Sequence, residues 1–184
     1  MKSALLLFSI LVMCSGAASA QSGYIGLFSD PQGIDCDLFD NVAGLCTYYV
    51  FHQATPGAIA SQFSAPLPGC MVAAIWLSDT AVFPVTIGNS QNGVAIGYGS
   101  CLAAPIHILS INIFCQGLTP TCCAYPVLPD PAVPSGQIEV VDCDNNLLVG
   151  LGSYASVNPD HSCCCYCTPV DDSTWGEIKS LYGD

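Results

Sequence analysis

Arginine is absent from this 184-residue chain, and lysine occurs only at Lys2 and Lys179, against 14 acidic residues. A formal net charge of −12 repels phosphate backbones and anionic lipid, which argues against nucleic acid or a membrane surface as a partner. Charged residues make up only 9% of the chain, so ion pairs contribute little and stability must come from apolar burial and cross-links. No Asn-x-Ser/Thr sequon marks a glycosylated loop. A Gly-x-Ser-x-Gly elbow is missing too. Ser100 has Tyr98 and Leu102 where glycines are needed, and Ser90 has Gly88 before it but Asn92 after it. Glutamate is confined to Glu139 and Glu177, and His52, His107 and His161 stand apart in sequence. These gaps leave no catalytic constellation, no cofactor motif and no expected resident metal.

What is abundant is cysteine, with thirteen in all. Lys2, the apolar run Ala4 to Met13 and the small-x-small site Ala18-Ser19-Ala20 compose a secretory signal peptide, too short for a membrane span. Leu11-Val12-Met13-Cys14 loosely resembles a lipid-attachment box, but such boxes want a small residue before the cysteine, and Met13 is not small. Cleavage after Ala20 removes Cys14 and leaves an even twelve cysteines, suited to complete pairing in an oxidising compartment. The expected location is secreted: extracellular, periplasmic or in the cell envelope, with bacterial export the better fit.

The mature chain reads as short strands punctuated by Gly and Pro, the pattern of an all-β sandwich or barrel. Strands are expected at Tyr24–Ser29, Leu45–His52, Met71–Leu77, Ala81–Ile87, Cys122–Val127, Gln137–Val141 and Leu147–Tyr154, with Ile59–Ala65 as a short edge strand. Pro84 confines its strand to an edge or bulge, and Asn92-Gly93 signals a hairpin turn. Pro105–Phe114 is apolar on both alternation phases and is expected to be central and covered on both faces. Cys36 and Cys46 bracket an acidic loop and are expected to bridge each other or to share one loop-and-strand region. At the end, Thr174-x-x-Glu177 matches a capping box, and Trp175, Ile178 and Tyr182 fall at helical spacing.

Three stretches carry a resemblance: Ser29-Asp30-Pro31-Gln32-Gly33-Ile34-Asp35-Cys36; Pro120 to Val127 running into Gly136 to Cys143; and the tail Asp172 to Tyr182. They resemble uncharacterised small secreted bacterial proteins with a C-terminal Thr-Trp-Gly-x-Ile-Lys-x-Leu-Tyr tail. The resemblance implies an immunoglobulin-like or cohesin-like β-sandwich and a secreted location, and it carries no catalytic residues. The expected organisation is a signal peptide over 1–20, a disulfide-stapled antiparallel β-sandwich over 21–160, and a Cys-rich segment with a short helical tail over 161–184.

Three groups invite a chemical reading. His161, Cys163, Cys164, Cys165 and Cys167 could hold a metal, but structural zinc sites want two separated ligand pairs. A secreted chain of even parity favours disulfides, with neighbouring cysteines reaching different partners. Asp142-x-Asp144-x-Asn146 opens like a calcium loop, yet Leu147 stands at the glycine place and Ser153 at the glutamate place; a polar turn is expected. Asp35, Asp37 and Asp40 are expected to be a solvated loop. His107, inside the most apolar strand, is expected to be a hydrogen-bonded core histidine.

The tail either packs onto the sandwich or serves as a recognition segment for a protein partner or export machinery, through Trp175, Ile178, Lys179, Leu181 and Tyr182. The acidic, proline-containing approach Thr168 to Asp172 favours the second. The function expected from sequence is a non-catalytic structural or interaction module of the bacterial cell envelope or exterior; the competing expectation is a secreted hydrolase with a shallow carboxylate site. Cysteine parity predicts that the mature protein carries no free thiol. Alkylation of the native protein followed by mass spectrometry should find none modified, and two or more modified cysteines would refute complete pairing.

Overall fold

The alternation resolves into strands throughout the computed structural model, which describes residues 22–165. In chain order these are β1 (Tyr24–Phe28), β2 (Asp37–Leu38), β3 (Ala43–Gln53), β4 (Ala58–Phe63), β5 (Ile75–Ala81), β6 (Val85–Asn89), β7 (Gly93–Leu102), β8 (Ile106–Gln116), β9 (Cys123–Pro126), β10 (Ile138–Asp142), β11 (Leu147–Gly152) and β12 (Tyr154–Val157). The expected tail helix and Cys167 lie outside the described residues.

Nine strands are hydrogen-bonded in the order β5-β8-β3-β1-β11-β10-β4-β7-β6. The sheet turns back on itself where β1 meets β11 in parallel through two residue pairs, Tyr24↔Leu151 and Ile25↔Gly152. One wall is then β5-β8-β3-β1 and the other β11-β10-β4-β7-β6. A small sheet, β2-β12-β9, packs Leu38, Tyr125, Ala155 and Val157 into the same core. Gly152 marks the corner between β11 and β12, because a Cβ there would collide with the Val127 carbonyl. This is a disulfide-stapled sandwich.

Several expectations need correcting. β4 is interior, between β10 and β7, and is not an edge. Residues 71–74 form a turn, so the strand expected at Met71 begins at Ile75, and Pro84 sits in the connection between β5 and β6. β8 lies inside its wall, between β5 and β3, but only one of its faces is fully covered. Its pairing with β3 steps from Val50↔Leu109 to Phe51↔His107, so Ile108 is a bulged extra residue. The bulge moves the inward phase from Ile106 to Leu109, Ile111 and Ile113, all buried, which is why both phases look apolar in the sequence. On the outer face, Asn112 accepts a hydrogen bond from Thr47 (3.0 Å) and donates to Ser78 and Thr80 (3.2 and 3.0 Å), and Phe114 is exposed.

The histidine inside the core is His52, not His107. His107 is half-buried on the outer face, stacked on Phe51 at 5.0 Å. His52 on β3 is fully buried; its Nε2 donates to the Ser22 carbonyl (2.7 Å) and its Nδ1 lies 3.1 Å from the Tyr98 hydroxyl. Ser61 Oγ completes the chain, 2.8 Å from the Tyr98 oxygen. Tyr98 is on β7 and Ser61 on β4, so this polar chain crosses between the walls.

Burial holds the His52 pKa below the usual histidine range, against the raising effect of its bond to Ser22. A histidine depressed in the folded state favours folding above its unfolded pKa of about 6.5 and disfavours it as pH falls below that value. The melting temperature should therefore drop on acidification from neutrality towards about pH 5, before the carboxylates titrate. His52→Gln should flatten that dependence while lowering stability overall; thermal scans across the range with an equally steep slope in the variant would refute the assignment to His52.

Candidate functional site

Disulfides decide the first candidate. Cys36 pairs with Cys165, Cys46 with Cys115, Cys70 with Cys123, Cys101 with Cys143 and Cys122 with Cys163. Cys164 is disulfide-bonded as well. Neighbouring cysteines do reach different partners, whereas Cys36 and Cys46 do not bridge each other. Two clusters have metal-like spacing, Cys122–Asp160–Cys163 and Asp35–Asp37–Cys165. Their sulfurs are engaged in S–S bonds and offer no thiolate, so neither cluster fits a thiolate-bound metal.

The acidic groups are committed to local structure. Asp142 accepts hydrogen bonds from the backbone of Asp144 and Asn146 and from the Asn146 side chain (2.8–2.9 Å), and the Asn146 amide holds its carboxyl below the usual range. It is the polar turn the spacing suggested. Asp30 likewise binds the backbone amides of Gln32, Ile34 and Asp35, which builds the turn announced by Asp30-Pro31. Asp35 is exposed, and Asp37 accepts from the Cys165 amide at 2.9 Å.

Asp40, expected in a solvated loop, is instead buried. It accepts from the Gly117 amide (2.7 Å) and from the Thr119 hydroxyl. Asn158 ties in the same node, accepting from the Asp40 amide (2.8 Å) and donating to the carbonyls of Asp40 and Thr119 (2.9 and 2.7 Å). The depression beside it, about 330 Å³, is lined by Asp40, Asn41, Thr119, Thr121 and Asn158. Both Asp40 oxygens are occupied, so this concavity lacks the pair of free, facing carboxyls that glycoside hydrolysis uses.

The remaining candidate is a surface, and it arises from strand register. On the outer face of the five-stranded wall, Val85, Gly97, Ala60, Val141 and Leu147 stand side by side across all five strands. The next outward row is Ile87, Ala95, Gln62, Glu139 and Val149. Small residues Gly97, Ala95 and Ala60 thus floor β7 and part of β4, while branched apolar residues rise on the flanking strands β6 and β11. The result is a shallow trough of about 160 Å³. Its flanks are exposed: Ile87 is 72% exposed, Leu147 63% and Leu151 65%. Gln62 is held by Asp130 at 2.7 Å, and Glu139 accepts a bond from Ser135 at 3.1 Å. Near Leu151 the β11 flank opens into a second groove of about 510 Å³, bordered by Tyr24, Tyr154 and the cystines at Cys163 and Cys165. No helix among the described residues is long and apolar enough to cross a membrane. Sequence reasoning missed the trough; the small-residue positions Ala60, Ala95 and Gly97 were the available signal. The tail residues named from sequence, Trp175, Ile178, Lys179, Leu181 and Tyr182, lie outside the described residues.

No family model matches the chain, and no curated protein matches it. Among solved structures it is similar to the cohesin module of a Clostridium perfringens family 33 glycoside hydrolase, with TM-score 0.48 and 7% identity, over 76% of this chain and 99% of that one. It is also similar to the sixth cohesin of Acetivibrio cellulolyticus scaffoldin B, solved in complex with a Cel5 dockerin, with TM-score 0.48 and 12% identity, over 74% and 98%. A non-cellulosomal cohesin from the archaeon Archaeoglobus fulgidus gives TM-score 0.43 and 12% identity, over 73% and 89%. At such scores and identities these resemblances transfer no partner or activity.

The Asp40 node has a measurable structural role. Asp40→Ala leaves the Gly117 amide and the Thr119 hydroxyl without their buried acceptor, and should lower unfolding free energy by about 3 kcal/mol. Urea denaturation checks this, and a loss under about 1 kcal/mol would show the node to be dispensable.

Proposed function

We infer that this chain is a secreted, non-catalytic interaction module of the bacterial cell envelope or exterior. The observation that carries the reading is the apolar trough. Exposed Val85, Ile87, Leu147 and Val149 stand together on one sheet face, whereas the described aspartates Asp30, Asp40, Asp130 and Asp142 accept hydrogen bonds from neighbouring groups of the fold. A contiguous exposed apolar face on a soluble domain marks a contact surface. Its strands are held by the β1–β11 seam and by cross-links, so a partner meets a preformed surface and little ordering cost opposes binding. The tail residues Trp175, Ile178, Lys179, Leu181 and Tyr182 form a second contact element, for a protein partner or export machinery. Aromatic anchors of this kind dominate such contacts.

The mature protein, immobilised and exposed to envelope and culture-supernatant fractions, should retain a protein that cross-links to β6 or β11. The double variant Ile87→Asp, Val149→Asp should bind that purified protein about tenfold or more weakly, a loss of at least about 1.4 kcal/mol, with an unchanged melting temperature. Equal binding by the variant would overturn the reading, as would turnover of a glycoside or ester substrate that Asp142→Asn abolishes.

A further inference from the structure

We propose that residues 174–182 of this chain dock along the trough of their own sandwich, as an internal occupant that a partner displaces, freeing tail and trough together; this rests on the reading of the trough as a docking surface. The segment is outside the described residues, but its sequence is defined and its tether begins at Cys165. At about 100° per residue of helix, Leu181, Ile178, Tyr182, Trp175 and Lys179 fall in one stripe roughly 160° wide, with Gly176, Ser180 and Glu177 opposite. Apart from Thr174 at its first position, this stripe is apolar with a single cation at its border. The trough is its complement: an apolar depression with one carboxylate, Glu139, in the row between Gln62 and Val149. Lys179 is the only side-chain cation besides histidine left once Lys2 is removed, and Glu139 is the trough's one acid.

Dimensions agree. Flanking strands β6 and β11 stand four strand spacings apart, about 19 Å, and a helix with its side chains is about 10–12 Å across. The tether agrees as well. The chain leaves the described region at Cys165, fixed to Cys36, and Cys165 borders the same groove as Leu151 at the end of the β11 flank. Residues 166–173 then span up to about 30 Å when extended, enough to reach the trough floor two or three strands away. A tether this short sets a local concentration in the millimolar range, which favours the same copy over a second one.

Because Lys179 is unique in the mature chain, a zero-length carbodiimide is a clean probe. It condenses an amine with a carboxylate, forming an isopeptide bond with loss of water. Treating the full mature protein and mapping the product should give a Lys179–Glu139 bond within monomers as the main product outside the tail, since the tether favours intramolecular coupling and docking selects Glu139 among the acids of the sandwich. Trp175→Ala and the floor-filling Ala95→Ile should each abolish the preference; if Ala95→Ile does not fold, Ile87→Ser with Val149→Ser substitutes. Bonds spread evenly over Asp35, Asp144 and Asp160 would overturn the proposal. So would a bond found only in dimers, which makes the occupant a second copy, or one that survives Trp175→Ala. A trough that captures its partner while Lys179 couples at random overturns the tail docking alone. A docked tail on a trough that captures nothing overturns only the function inferred above.

Discussion

Everything in this molecule depends on a nine-stranded sheet closing over itself with very little hydrogen bonding at the fold. The seam between β1 and β11 is two residue pairs long. On the opposite side the edges β5 and β6 do not pair. A single carboxylate spans that gap: Asp79 on β5 accepts from the Trp76 indole (3.0 Å) and from both the amide and the hydroxyl of buried Ser90, just after β6. Between seam and latch runs the His52–Tyr98–Ser61 chain, which joins the walls through the core. A buried polar chain contributes little net stability when satisfied, but each member costs about 1–3 kcal/mol when left unpaired. It therefore penalises any slip of one wall against the other. No buried side-chain nitrogen or oxygen among the described residues lacks a partner.

With so few charges, the rest of the stability is apolar burial and cross-linking. Cys36–Cys165 closes a loop of 129 residues and Cys46–Cys115 one of 69. Restricting the unfolded chain this way contributes about 2–4 kcal/mol for each bridge, comparable in sum with the whole stability of an ordinary domain. The bridges also fix elements that the main sheet does not hold. Cys70–Cys123 anchors β9 and Cys122–Cys163 the segment after β12.

Much of this architecture was legible in the sequence. The strands at Tyr24, Leu45, Cys122, Gln137 and Leu147 are visible from their alternation, because a half-buried strand must show its period. Complete pairing of the described cysteines followed from parity and compartment. The misreadings share one cause. Ile108 is a bulge, so the covered face changes phase in mid-strand, and a local pattern cannot distinguish that from a strand buried on both sides. Asp40 looked solvated because its partners, Gly117, Thr119 and Asn158, are between 77 and 118 residues away. His107 looked central because its strand is, while the histidine that joins the walls lies on β3. The trough was invisible for the same reason: it exists only once five strands from three parts of the chain are in register.

That trough raises a problem which the missing cations resolve. An exposed apolar face beside two unpaired edge strands is an arrangement that promotes self-association. Natural proteins usually blunt it with interspersed lysines, and this chain has none to spare. It carries instead a large charge of one sign, and uniform negative charge keeps copies apart at distances up to a Debye length, about 8 Å at physiological salt. Repulsion of that kind acts between like chains and not on a neutral or cationic partner. The acidic composition thus protects the apolar face from other copies of this chain and leaves it open to a segment carrying a positive charge.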